Sequence, residues 1–178
     1  MLLPMPPTLA TARLLLTPVE DDDLPDLHAH WNDPQVARFL WDANPVPTST
    51  VADLIARSHH TFQTHGWGLW AIRPTAPATP ALIGVCGLCP FDHGPGVELL
   101  YSLAPTHRSQ GLATEAATAV LAHAFGTLGL DEIVATTDDA NAPSLRLLTR
   151  LGAIPSPRVQ VGPTSYPCFT IPRPRYAP

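Results

Sequence analysis

The chain has 178 residues, 45% of them hydrophobic, and a formal net charge of −5 from fifteen acids against ten basic residues, all arginine. That length suits one domain with a real core. The acidic balance argues against a nucleic-acid surface. No run approaches the ~18 apolar residues of a membrane span, Met1 to Pro7 lacks the basic start of a signal peptide, and three cysteines give no disulfide framework. The expectation is a soluble cytoplasmic protein.

In chain order, Thr11 to Thr17 reads as a first strand. Glu20 to Trp31 reads as a helix with acids in its first turn. Asp33-Pro34 opens a short helix through Leu40, with Asp as N-cap and Pro at the first helical position. A longer helix runs from Thr48 to His65 and ends at Gly66. Strands follow at Gly68 to Ile72, Leu82 to Leu88 and, after the Asp92–Gly96 turn, Val97 to Leu103. Then come a glycine-containing loop, a helix from Glu115 to Leu128, a strand from Glu132 to Thr137 and a helix from Ala142 to Leu151 closed by Gly152. Two late strands flank Gly162-Pro163.

The loop Arg108-Ser109-Gln110-Gly111-Leu112-Ala113-Thr114 is the informative stretch. A loop that turns straight into a helix exposes main-chain N–H groups, and the helix dipole adds positive character there. Gly111 permits close backbone approach, and Arg108 offers a charged fork. The physical reading is a seat for a diphosphate. No Gly-Lys-Ser/Thr follows, and only one glycine is present, so it is neither a P-loop nor a dinucleotide fingerprint.

Arg108-x-x-Gly111-x-Ala113 resembles the Q/R-x-x-G-x-G/A motif of the GNAT N-acetyltransferase superfamily. Thr11-x-Arg13-Leu14-x-Leu16, Asp33-Pro34-x-Val36-x-x-Phe39-Leu40, Glu98-Leu99-Leu100-Tyr101 and Asn141-Ala142-Pro143-Ser144 with Leu151-Gly152-Ala153 are similar to landmarks of its RimJ/RimL branch. The resemblance covers about residues 11–172 of a single domain spanning 1–178. It implies an α/β GNAT fold: a mixed, mostly antiparallel sheet of about six or seven strands, flanked by helices and splayed at the acetyl-CoA site. The parting from the Ile133 strand is expected after Leu103.

The resemblance also implies transfer of an acetyl group from acetyl-CoA to a primary amine, a protein N-terminus or a small molecule, in a ternary complex. The alternative is a degenerate domain that binds CoA as a sensor or scaffold. A small NTPase lacks its lysine and metal-binding acid. Glu98, the acid inside the central strand, is the candidate base, with a solvent-facing strand residue as the plain alternative. Main-chain groups of Tyr101, Ser102 and Leu103 would pair with the pantetheine arm, and an N–H there would be the oxyanion donor. Asn141 and Ser144 would face the coenzyme near its sulfur, although Asn141 equally suits an N-cap. Many members carry a Tyr acid four residues after this Ser. Here the position is Leu148, so Ser144 is left as the donor to the thiolate. The whole loop, Arg108 to Thr114, would hold the diphosphate.

No metal is expected. Cys86 and Cys89 with His93 resemble half a zinc site, but residues three apart on a strand point to opposite faces, and Cys168 stands alone. His59, His60 and His65 read as a solvated helix face. Trp31, Trp41, Trp67 and Trp70 read as core rather than ligand platform, although the resemblance puts Trp31 and Trp41 where the family builds its acceptor pocket. The oligomeric state is monomer or homodimer.

Overall fold

The computed structural model describes residues 6–41, 43–76 and 81–174. Among these, eight strands form one sheet in the order β1-β2-β3-β4-β5-β6-β8-β7. The strands are β1 (Leu9–Ala10), β2 (Leu14–Pro18), β3 (Leu69–Pro74), β4 (Gly84–Pro90), β5 (Val97–Leu103), β6 (Glu132–Thr136), β7 (Ile154–Val161) and β8 (Thr164–Pro172). Every pairing is antiparallel except β5 with β6. The strand beyond the expected number is β1, two residues long. It arises because Thr11 is a turn and not strand: its Oγ1 accepts from Leu14 N–H, and its N–H donates to Leu14 O.

Side chains alternate across the sheet, and the two faces carry two cores. Leu14, Leu16, Trp70, Ile72, Leu88, Leu99 and Leu103 pack with Ala116, Ala117 and Val120 of α4 (Leu112–Ala122) and Leu147 and Leu148 of α5 (Ala142–Arg150). Val19, Leu69, Ala71 and Val85 pack with α1 (Leu24–Trp31), α2 (Pro34–Leu40) and α3 (Thr48–His65). Two Pro-bearing N-termini are capped as the sequence suggests. Asp33 accepts from Gln35 N–H at the head of α2, and Asn141 accepts from Ser144 N–H at the head of α5. Gly66 ends α3 at φ +80°, a left-handed conformation suited to glycine.

Two helices differ from the sequence reading. The Glu20–Trp31 stretch begins as a 3₁₀ turn, Asp21–Asp23, before α1. The Asp23 carboxylate accepts from Glu20 N–H and pairs with Arg73. The helix expected at Glu115 begins three residues earlier, at Leu112. Gly111, at φ +78°, turns the chain, and its carbonyl takes the first helical bond from Glu115 N–H. Past Ala122 this helix widens into a π turn over His123–Thr127, where Leu128 N–H reaches His123 O.

Candidate active site

β5 and β6 share one residue pair, Glu98 opposite Val134. A parallel pair would normally continue with evenly spaced main-chain bonds. Here Thr136 N–H, two residues on, donates to Glu98 Oε1 at 3.2 Å, and Thr136 Oγ1 donates to the same oxygen. The parting therefore starts at Glu98, inside β5, and not past Leu103. A carboxylate has taken a donor from the next rung of the ladder.

A cleft of about 730 Å³ opens at this point. Every residue expected at the site lines it except Gln110. Gln110 turns its side chain to Thr106 O and its carbonyl to Arg13. Glu98 and the main chain of Tyr101 to Leu103 on β5, the loop from Arg108 to Thr114, and Asn141 with Ser144 are thus brought together from three separate stretches. The opposite wall is Gln35, Arg38 and Phe39 of α2 with Val159, Val161 and Tyr166 of the β7–β8 hairpin. Trp31 and Trp41 are not among the lining residues. They stack edge-on at 5.7 Å, and Trp31 is fully buried in the α1–α3 core.

The loop fits a diphosphate. Leu112, Ala113 and Thr114 precede the first helical bond, so their N–H groups are free of the helix ladder. A Cβ on Gly111 would meet its nearest neighbour, Arg13, at an unremarkable 3.6 Å. It is the positive φ, and not crowding, that calls for glycine there. Ser109 also sits at φ +62°, a region few non-glycine residues adopt. Arg108 does something other than reach for an anion. Its Nε donates to Leu103 O at 3.0 Å and its guanidinium to Gln35 O at 3.2 Å, tying the loop to the end of β5 and to α2.

The electrostatics divide the site. Burial pushes the Glu98 carboxyl above its usual range, while the hydrogen bonds from Thr136 pull the other way. Its Oε2 has no hydrogen-bond partner among the described residues. Burial pushes Tyr101 up to about 12, and its phenol lies 2.5 Å from Ser144 Oγ. His30 of α1 holds Ser102 Oγ at 2.9 Å. Burial lowers its pKa to about 4, so it is neutral at physiological pH. Its lone buried position on α1 gave no signal in the sequence. Arg13 was visible only as part of a motif. In the fold its N–H and Nε both bond the Glu115 carboxylate, and Thr11 Oγ1 joins at 2.6 Å.

Among the described residues no group of three His, Cys, Asp or Glu could hold a metal. Cys86 is buried in β4 opposite Tyr101, and Cys89 lies opposite Glu98. No helix among the described residues is long and apolar enough to cross a membrane.

Among the described residues the sheet is thus parted beside its one parallel pair, with a helix N-terminus lining the gap. The chain belongs to the GNAT acetyltransferases: the family model for the acetyltransferase (GNAT) domain matches residues 13–154. It is 30% identical over 145 residues to N-acetyltransferase p20 of Bacillus licheniformis, itself uncharacterized, covering 81% of this chain and 80% of that one. An acetyltransferase from Agrobacterium tumefaciens superimposes with a TM-score of 0.80 at 25% identity, covering 92% and 93% of the two chains. RimL, a ribosomal L7/L12 α-N-protein acetyltransferase solved with coenzyme A, shares the fold at a TM-score of 0.74 and 13% identity, covering 92% and 97%. The protein is accordingly an N-acetyltransferase of a domain family that uses acetyl-CoA. The alternative of a degenerate CoA-binding scaffold finds no support in these relatives.

Proposed function

We propose that the cleft carries direct attack of a primary amine on bound acetyl-CoA, with Glu98 as the proton acceptor. The observation that carries this is the state of the Glu98 carboxylate. One oxygen is pinned by Thr136, the other is free, and burial raises the proton affinity of both. An ordinary Glu, at about 4.3, is a weak base toward an α-amino group near 8. A raised pKa narrows that gap, and a fixed orientation removes the need to search for the proton.

Acetyl-CoA, when bound, supplies the acetyl thioester. The N–H groups of the Arg108–Thr114 loop hold its diphosphate, with Arg108 itself bracing the loop. Main-chain groups of Tyr101 to Leu103 pair with the pantetheine arm and polarise the thioester carbonyl. Asn141 caps α5 and sets Ser144, whose hydroxyl donates to the departing sulfur. The acceptor enters from the wall formed by α2 and the β7–β8 hairpin. A protein N-terminus, as for RimL, an α-N-protein acetyltransferase, and a small-molecule amine both suit a cleft of this size. The working unit is a monomer or homodimer in the cytoplasm.

The test is thiol release from acetyl-CoA across a panel of N-terminal peptides and small amines, with Glu98→Gln as the variant. At pH 7, kcat for the best acceptor should fall at least about a hundredfold and recover at high pH. A kcat unchanged from pH 6 to 9 would remove Glu98 from the role of base.

A further inference from the structure

We infer that Tyr101 is a positioning residue for the leaving group: its phenol fixes the direction in which Ser144 donates. The inference rests on the reading just given, in which Ser144 faces the sulfur of the coenzyme. Tyr101 stands on β5 and Ser144 on α5, 43 residues apart, yet their hydroxyl oxygens are 2.5 Å apart and both residues line the cleft. Ser144 is only 7% exposed. Its hydroxyl has no partner but Tyr101 among the described residues.

Two hydroxyls that share one hydrogen bond have one proton left over. A phenol, even with burial pushing Tyr101 up to about 12, is more acidic than an alkyl alcohol and so is the stronger donor of the two. Tyr101 therefore donates to Ser144, and the proton left free is that of Ser144. A hydroxyl that accepts one hydrogen bond is polarised to donate the next more strongly. The position one turn along α5 is Leu148, fully buried and apolar, so no hydroxyl comes from there. The supporting phenol comes from the sheet instead. Burial of Tyr101 favours its neutral form, which makes it a lasting donor and not a proton source.

The balance of the step follows. The amine nitrogen bonds to the acetyl carbon and the carbon–sulfur bond breaks, its electron pair passing to sulfur. The proton shed by the amine goes to Glu98. Ser144 keeps its proton and stabilises the thiolate through a hydrogen bond, and the thiolate is protonated by solvent after release.

Coenzyme A itself is the probe, and no acceptor is needed. Binding is measured by calorimetry, and the thiol of the bound coenzyme is titrated by the ultraviolet absorbance of its thiolate. The wild-type protein should lower the thiol pKa by about one unit, a tenfold shift in favour of thiolate. Tyr101→Phe and Ser144→Ala should each remove most of that shift, and the double variant should lose no more than either alone, the mark of a coupled pair. Ser144→Ala reads the same pair from the helix side should the Phe variant disturb β5. If coenzyme A binds and Tyr101→Phe keeps the full shift, the inference is overturned while the functional reading stands. If the wild-type protein binds coenzyme A with an unshifted thiol, the role of Ser144 falls with it. If coenzyme A does not bind at all, the functional reading fails first.

Discussion

The two walls of the cleft are built by different means. The phosphate-loop wall is tied down by contacts mostly between residues far apart in the chain. Arg13 bonds Glu115 and Gln110, Thr11 joins the same carboxylate, and Arg108 bonds Leu103 and Gln35. The acceptor wall has α2, seven residues long, and the β7–β8 hairpin, whose outer strand is the sheet's edge. Ile154 and Val161 on that strand are 56% and 40% exposed. The contrast teaches how one family serves many acceptors. The cosubstrate is constant, so its seat is fixed by charged bonds that span the fold. On the proposed reading the acceptor varies, and the edge hairpin is the part of its wall that can change without loosening the seat, since α2 is itself tied to the loop through Gln35 O and Arg108.

Beyond the effect of Glu98→Gln, the largest way to break this contrast is Gly111→Glu. It puts a side chain at φ +78° and a negative charge at the anion seat. Acetyl-CoA affinity, measured by calorimetry, should fall at least about tenfold, or roughly 1.4 kcal/mol. Next is Arg13→Ala, which removes the brace without touching the cleft lining. Acetyl-CoA affinity should drop about three- to tenfold and the melting temperature should fall with it, because the Gln110 carbonyl loses its partner and the Glu115 carboxylate keeps only Thr11 Oγ1 and the main-chain N–H of residue 13. A smaller effect sharpens the comparison from the other side. Val161→Glu on the hairpin should change acceptor KM by about threefold in either direction, depending on the acceptor's charge, while acetyl-CoA affinity stays constant.

The smallest effect is one of acidity. The Thr11 hydroxyl, followed by Arg13, holds the Glu115 carboxyl below its usual range. A depressed folded pKa contributes stability above the unfolded value, near 4.3, and that contribution is lost as pH falls through the folded pKa. Thermal melts taken from pH 6 down to pH 3 should therefore show a shallower decline for Glu115→Gln than for the wild type. Equal slopes would mean that the brace carries no net charge–charge stabilisation.

Local signals in the sequence located local structure well. α3 runs from Thr48 to His65 and ends at Gly66 as read, and Val97 to Leu103 is β5 as read. Asp33 and Asn141 cap the helices they precede. The helix after the loop was placed late, because Leu112 to Thr114 look like loop until Gly111 is known to take the turn. The residues named from the sequence line one cleft, Gln110 excepted, but the bonds among them were illegible. Glu98 with Thr136, Tyr101 with Ser144 and Arg13 with Glu115 are pairs separated by 38, 43 and 102 residues. No periodicity or capping rule reports on such distances. Arg108 shows the same limit: its charge suggested a phosphate ligand, and only its neighbours reveal a tie between carbonyls.

The bond from Thr136 N–H to Glu98 has one more consequence. The amide is tethered to the very group whose charge changes, and it lies on a strand whose other edge is secured by β8. Its nitrogen and proton frequencies in a nuclear magnetic resonance spectrum are thus an internal indicator dye for the Glu98 carboxyl. The protein can report the protonation state of its own cleft at rest, with neither cosubstrate nor acceptor present.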